Sequence, residues 1–412
     1  AWNVLRLLAS AREVWPSPLR WADLWVWHDQ QYPVAGYVVP AVVQAFTGPS
    51  FLVDQLVMAW TWTPLLFLSV HMLAVRVVKD AWAGPVAVAW VASSPMVLDL
   101  SKDFLLDLPV LSSVALATWG LASTDLLQRK KGSARTGAAV GLALLVKAGV
   151  ALVFLLGPVV SALLKAGRMD TWRTFTRNAV RAGLAAFLVA GPYTVRFATE
   201  ARRLVEGQAR DAASEGDPTS WFPSVLMYAG WIPRFHVNAA MLVVWVTGAV
   251  VLWRTRREAA SWVLGGVAVA WFLWPFFPNK DARYPLGWMA LGAVAAAALV
   301  LRWAPRVLVP VMALHAVFMV VAVHWGWSWL PPSIEVGPLV LWQQHGYLRG
   351  RPATQRNVPR EVVQEAGRLA DRVAPTGLGP WQPLLHARVV QDEPAFHGWA
   401  LTFEAWAQGR RV

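Results

Sequence analysis

The chain has 412 residues, 57% of them hydrophobic and only 15% charged, with a mean hydropathy of +0.43. A soluble protein carries about 25% charged residues, so most of this one is built for lipid. It has no cysteine, which excludes disulfides, thiolate nucleophiles and thiolate metal sites. The formal charge of +13 lies in short basic clusters between apolar runs. That is the pattern of cytoplasmic loops: it argues against nucleic acid as a partner and for membrane lipids, with some attraction for anionic headgroups.

In chain order, residues 1–53 contain no full apolar span, only interfacial pieces such as Tyr37–Phe46. No signal peptide is visible, and the segment reads as an outer-face first loop whose preceding span is missing. Apolar runs near 55–75, 82–98, 105–122, 179–197, 237–253, 260–278, 284–301 and 305–325 then follow. Each is close to the ~20 residues that a helix needs to cross hydrocarbon. Tryptophans such as Trp60, Trp62, Trp271, Trp274, Trp325 and Trp327 mark the run ends, where indole rings meet the bilayer surface.

The run 137–164 differs, with basic clusters at both ends and Lys147-Ala148-Gly149 at its middle. It is expected to be two short helices meeting near the far face. The expectation is an all-α polytopic protein: a transmembrane domain over 54–326 with about ten helices, followed by a small soluble α/β appendage over 331–412. The appendage is inferred from a shift in composition, an amphipathic stretch Glu361–Ala374 and a strand-like Ala387–Val390.

Loops at 76–80, 126–136, 165–181, 254–258 and 302–306 together hold 16 Lys and Arg, and they alternate with loops poorer in them. The positive-inside rule therefore puts 99–104, 198–236, 279–283 and everything after 326 outside, together with everything before 54. Asp29, Asp99, Asp103, Asp107, Lys280, Asp281 and Arg283 all fall on that face, although none was used to assign it.

The stretch Ser101-Lys102-Asp103-Phe104-Leu105-Leu106-Asp107-Leu108-Pro109 sets carboxylates and an ammonium at the mouth of a span, beside a proline that frees backbone groups. A carboxylate can take the proton of an acceptor hydroxyl while Lys and Arg hold a phosphate leaving group. That pairing suits a transferase with a lipid-phosphate donor, whose phosphate lies at the interface. A secondary transporter or flippase would carry its charges nearer the midplane, and a non-catalytic scaffold is a third reading. Asp99 and Asp103 read as solvated loop charges, and His71, His315 and His324 as packed or interfacial histidines. No metal-ligand spacing appears, so no cofactor is expected, with a divalent metal left open.

Four motifs in order carry a resemblance. They are Gln31-Tyr32-Pro33, Phe104-Leu105-Leu106-Asp107-Leu108-Pro109, Gly141-Leu142-Ala143-Leu144-Leu145-Val146-Lys147 and Asn279-Lys280-Asp281-Ala282-Arg283-Tyr284. In order and spacing, over roughly residues 20 to 300, the chain resembles the GT-C fold membrane glycosyltransferases. Within them it looks most like the protein O-mannosyltransferase and lipid A aminoarabinose transferase superfamily. The resemblance implies a polyprenyl-phosphate sugar donor and inverting transfer in one displacement. It also implies a lipid, glycan or protein acceptor at the periplasmic face of a bacterial inner membrane.

Carried onto this sequence, the resemblance makes Asp107 the acid of the second outer loop, preceded by the basic Lys102. Lys147 closes the Gly-Leu-Ala-Leu-Leu-x-Lys motif, and Arg283-Tyr284 is the pair that opens a late span. Lys102, Lys147, Arg283 and Tyr284 are then expected at the donor phosphate, and Asp107 at the acceptor or assisting the base. The family's Asp-Glu pair would fall at or before Ala1, so the general base is either Asp29 or an acid upstream.

Overall fold

The computed structural model describes residues 35–48, 51–102, 105–215, 217–277, 280–325, 331, 333–336 and 339–343. Asp29, Asp103, Glu361–Ala374 and Ala387–Val390 lie outside these residues. The described chain is almost wholly helical.

Helix α1 (Ala35–Thr47) is the expected interfacial piece, and Gly48 ends it with φ 82° and an N–H bonded to the Gln44 carbonyl at 2.9 Å. Helix α2 (Phe51–Val57) runs through a π turn into α3 (Thr63–Val78), forming one long apolar element that stops at Lys79 in the left-handed conformation.

The run expected as one span over 82–98 is instead broken into α4 (Ala83–Ala92) and α5 (Pro95–Lys102), bent by 73°. Pro95 cannot continue a helix. The Ser94 hydroxyl then starts the next helix by accepting from the Val97 N–H at 3.3 Å. A consequence is that Asp99, expected as a solvated loop charge, is fully buried on α5.

Helix α6 (Asp107–Ser123) ends in a left-handed turn at Asp125, Leu126 and Leu127. Helix α7 (Ser133–Arg168) is broken at Lys147, whose extended backbone (φ −162°, ψ 85°) interrupts the helical dihedrals. As one straight rod it would put residues 133 and 165 about 48 Å apart. Yet Lys165 Nζ is 2.7 Å from Asp125 Oδ1, and the eight residues from 125 to 133 reach at most ~28 Å.

The chain therefore folds back. Gly120 packs on Thr136, so the first arm of α7 runs against α6, while Asp107–Lys147 and Asp125–Lys165 align the second arm with α6. Lys147 sits at the tip, as the basic clusters at both ends of the run implied.

Helix α8 (Trp172–Glu215) returns beside α7, with Gly137 on Ala182 and Gly141 on Ala186 and Val189. Its 44 residues extend about 66 Å, more than twice the ~30 Å of hydrocarbon, so much of the loop expected over 198–236 is helix. Exposed Val180, Leu184 and Leu188, at helical spacing, make a lipid-facing stripe.

Helix α9 (Trp221–Trp231) ends in a π turn and bends by 113° into α10 (Ala239–Thr255), whose cap residue Asn238 accepts from the Met241 N–H. Then come α11 (Arg257–Leu273), a 3-10 turn Tyr284–Gly287, α12 (Trp288–Trp303) and α13 (Pro305–Trp325). Helix α12 is buried all round and α13 mostly faces outward. Small residues let backbones meet, as where Gly157 of α7 lies on Gly266 of α11.

The strands β1 (Ser333–Val336) and β2 (Leu339–Gln343) pair antiparallel. Among the described residues five helices are long and apolar enough to cross a membrane, or up to seven if each bent pair is one span.

Asp107 and Asp125 mark opposite ends of α6, and the basic loops gather at the Asp125 end. In this cysteine-free chain, an impermeant thiol reagent applied from outside should label Thr219→Cys, near the Asp107 end, and should not label Lys131→Cys at the basic end. Labelling of position 131 alone would invert the orientation.

Candidate functional site

Asp107 is the first residue of α6 and only 3% exposed. Pro109 fits here because the first-turn N–H groups of a helix have no intrahelical partner, and the helix N-terminus favours a carboxylate. Its Oδ1 accepts from Lys147 Nζ at 2.8 Å, and its Oδ2 is 3.7 Å from Arg283 Nη1, an ion-pair contact longer than a hydrogen bond. The Lys147 ammonium also lies 4.5 Å from the centre of the Tyr284 ring, which packs beside Trp274 with ring centres 5.8 Å apart.

The loop carrying Arg283 is pinned from several directions. Asp281 accepts the Arg283 N–H at 2.8 Å and Nε at 2.9 Å, and Nη2 completes the ion pair. Asp217 accepts the Lys280 N–H at 2.6 Å, while Lys280 Nζ donates to the carbonyls of Pro275 and Phe277.

His236, fully buried, holds the Ala282 carbonyl at 2.6 Å through Nε2 and accepts from Trp288 Nε1–H at 3.0 Å on Nδ1. With Nδ1 accepting, the proton belongs on Nε2, and the ring is neutral. Its own carbonyl accepts from Ser94 Oγ at 2.7 Å, tying the break between α4 and α5 to the same assembly. Burial alone would lower the Arg283 guanidinium, but Asp107 and Asp281 outweigh it and hold it above the ordinary arginine value.

The structure thus brings Asp107, Lys147, Arg283 and Tyr284 together. Lys102 is engaged elsewhere: its Nζ is 3.0 Å from Asp99 Oδ1 and donates to the Val323 carbonyl at 3.1 Å, tying α5 to the end of α13. His324, at that same end, meets Ser101 Oγ at 3.3 Å.

Sequence reasoning missed His236, Asp217 and Asp54, each of which lies in a segment without a motif. Asp54, fully buried on α2, accepts from Gln44 of α1 at 2.6 Å. Helix α1 also meets Leu106 at Gly36, so the first-loop helix lies against the residue before Asp107. Among the described residues no group of three or more His, Asp or Glu could hold a metal ion.

No protein-family model matches the sequence, and no curated protein matches it. Solved structures do match. The crystal structure of ArnT from Cupriavidus metallidurans in the apo state has a TM-score of 0.51 at 16% identity, covering 77% of this chain and 57% of that one. The structure of the same protein bound to undecaprenyl phosphate has a TM-score of 0.52 at 14% identity, covering 78% and 59%. The chain therefore shares the ArnT-like GT-C fold, and it spans less than two thirds of the length of these ArnT chains.

Removing one partner of a buried ion pair strands the other, whereas replacing both with apolar groups does not. Asp107→Leu should therefore lower stability by about 3 kcal/mol or more. The double variant Asp107→Leu/Lys147→Met should regain most of it, as read by thermal unfolding of purified protein. A single variant as stable as the parent would show that this pair does not hold the helices together.

Proposed function

We propose that this protein is a glycosyltransferase that moves one sugar from a polyprenyl phosphate to an acceptor hydroxyl at the outer, periplasmic face of a bacterial inner membrane. The acceptor is a lipid, glycan or protein. The observation that carries this reading is the meeting of Lys147 and Arg283, from two distant segments, on one buried carboxylate at the end of the bundle opposite the basic loops. The shared fold with ArnT supports the reaction class, and the undecaprenyl phosphate bound in one ArnT structure supports a polyprenyl phosphate as lipid partner.

In the donor the anomeric carbon is joined to a phosphodiester bearing one negative charge. The acceptor oxygen attacks that carbon from the opposite side, the bond to the phosphate oxygen breaks, and its electron pair stays on the phosphate. The acceptor proton passes to a carboxylate base, and the configuration inverts. The leaving polyprenyl monophosphate gains a second negative charge, so cations already in place bind it more strongly as the bond breaks.

Lys147 and Arg283 are those cations, and Tyr284 supports the Lys147 ammonium through its ring. Asp107 shares its two oxygens between them, which favours a positioning role on the phosphate side over direct contact with the acceptor. The base is an acid of the first outer loop, for which the resemblance offers Asp29 within this sequence. Lys102, tied to Asp99 and α13, is a brace for the bundle in this reading.

Arg283→Ala and Lys147→Ala should each weaken binding of a polyprenyl-phosphate sugar to purified protein by ~1 to 3 kcal/mol, the scale of a hydrogen bond to a charged group. Arg283→Lys should restore part of the loss, because a lysine cannot make the bidentate contact. Lys102→Ala should bind the donor normally. Unchanged affinity in both Arg283→Ala and Lys147→Ala would remove the phosphate site and favour a transporter or scaffold.

The reaction as drawn needs no metal, so sugar transfer should persist in excess chelator. Activity lost on chelation and regained with added divalent cation would add a metal to the site.

A further inference from the structure

At the end of the bundle away from Asp107, the loops after α3 and α6 and the turn between α10 and α11 border an open cavity of about 600 Å³. Its charged lining is Arg76, Lys79, Arg129, Lys165, Arg256 and Arg257 against Asp125 and Glu258, six cations to two carboxylates, a net of +4. Lys165 is already neutralised, with Nζ 2.7 Å from Asp125 Oδ1 and 2.5 Å from Glu258 Oε1. None of the other five cations is in an ion pair with a described residue. Arg76 Nε donates only to a carbonyl, that of Ala122 at 3.2 Å. Like charges drawn from three separate loops around one open space repel one another, and an anion placed between them relieves that repulsion.

A second cavity of about 270 Å³ adjoins the first and shares Leu126, Lys165, Met169, Glu258 and Trp262 with it. Leu164, which is exposed on the apolar second arm of α7, also lines it. A cationic chamber thus opens, across the two Lys165 ion pairs, into a smaller slot where Leu126, Leu164, Met169 and Trp262 line one part and Ser161, Ser261 and Arg168 the rest. A soluble anion would need only the chamber, whereas a lipid needs both.

We propose that this end of the protein binds an anionic phospholipid whose headgroup carries more than one phosphate, with the phosphates in the chamber and an acyl chain in the slot. Basic pockets between transmembrane helix ends suit such headgroups, because the charges converge at the depth where the phosphates lie. The site is remote from Asp107 and does not depend on the transferase reading.

The test is lipid binding to the purified full chain in neutral detergent, by native mass spectrometry with diphosphatidylglycerol as the probe. Each lysine or arginine near a membrane surface contributes measurably to such attraction, so Arg256→Glu/Arg257→Glu should reduce affinity by about thirtyfold or more. Lys130→Glu/Lys131→Glu, which makes the same charge change on exposed residues that flank the cavity without lining it, should reduce it by less than about threefold. Lys79→Ala/Arg129→Ala should also weaken binding, which guards against a folding defect in the first pair.

Phosphatidylcholine should not bind, and excess pyrophosphate should not displace the lipid. Equal losses in the lining and flanking pairs would reduce the site to diffuse surface charge. Full displacement by pyrophosphate, with Leu164→Asp leaving lipid affinity unchanged, would make the occupant a soluble phosphate compound and overturn the lipid assignment.

Discussion

A carboxylate deep in an apolar bundle is stable as an anion only if cations reach it, and Asp107 is such a carboxylate. Its own helix supplies none, so the partners come from far along the chain: Lys147, forty residues on, and Arg283 from the loop before α12. Each must be delivered by a departure from regular structure. Helix α7 is interrupted and folds back so that Lys147 lies at a tip, and the 280–283 loop is fastened by Asp217, Asp281 and His236. The irregular backbone lies where polar side chains can satisfy it, as a low-dielectric surrounding requires.

The same helix organises the opposite end. Asp107 at its start and Asp125 just past its end each pair with a lysine of α7, again forty residues further along. The equal spacing keeps α6 and the second arm of α7 side by side in the same direction. Between the two charged ends the helices meet through small and apolar side chains, with glycines allowing the closest approaches. One end is left with charges balanced around a carboxylate and the other with a surplus of cations, so the two are suited to different anions.

For the proposed chemistry, Asp107 and Asp281 hold the two cations in fixed positions. Preorganised charge of this kind is the usual source of electrostatic stabilisation in a water-poor site. A further polar cluster, Asp99 with Lys102 and Ser101 with His324, fastens α5 to α13.

The apolar runs, the basic loops and the order of the four motifs could be read from the residues alone, because hydropathy and charge are local properties and lipid imposes its requirement segment by segment. The helix reversal at Lys147 was legible for the same reason, since clusters of Arg and Lys marked both ends of a run too short for two full spans. Residues that meet through space were not legible. Nothing near Lys102 in the sequence announces its bond to the Val323 carbonyl, nothing near His236 its grip on Ala282, and Asp99 looked like a solvated loop charge. The break at Ser93-Ser94-Pro95 and the continuation of α8 to Glu215 were likewise set by how helices pack. Composition determined that this chain lives in a membrane and which ionisable groups it carries there; the tertiary structure alone decided which of them face one another, because in a low-dielectric interior the state of a charge depends on its partner and not on its neighbours in the chain.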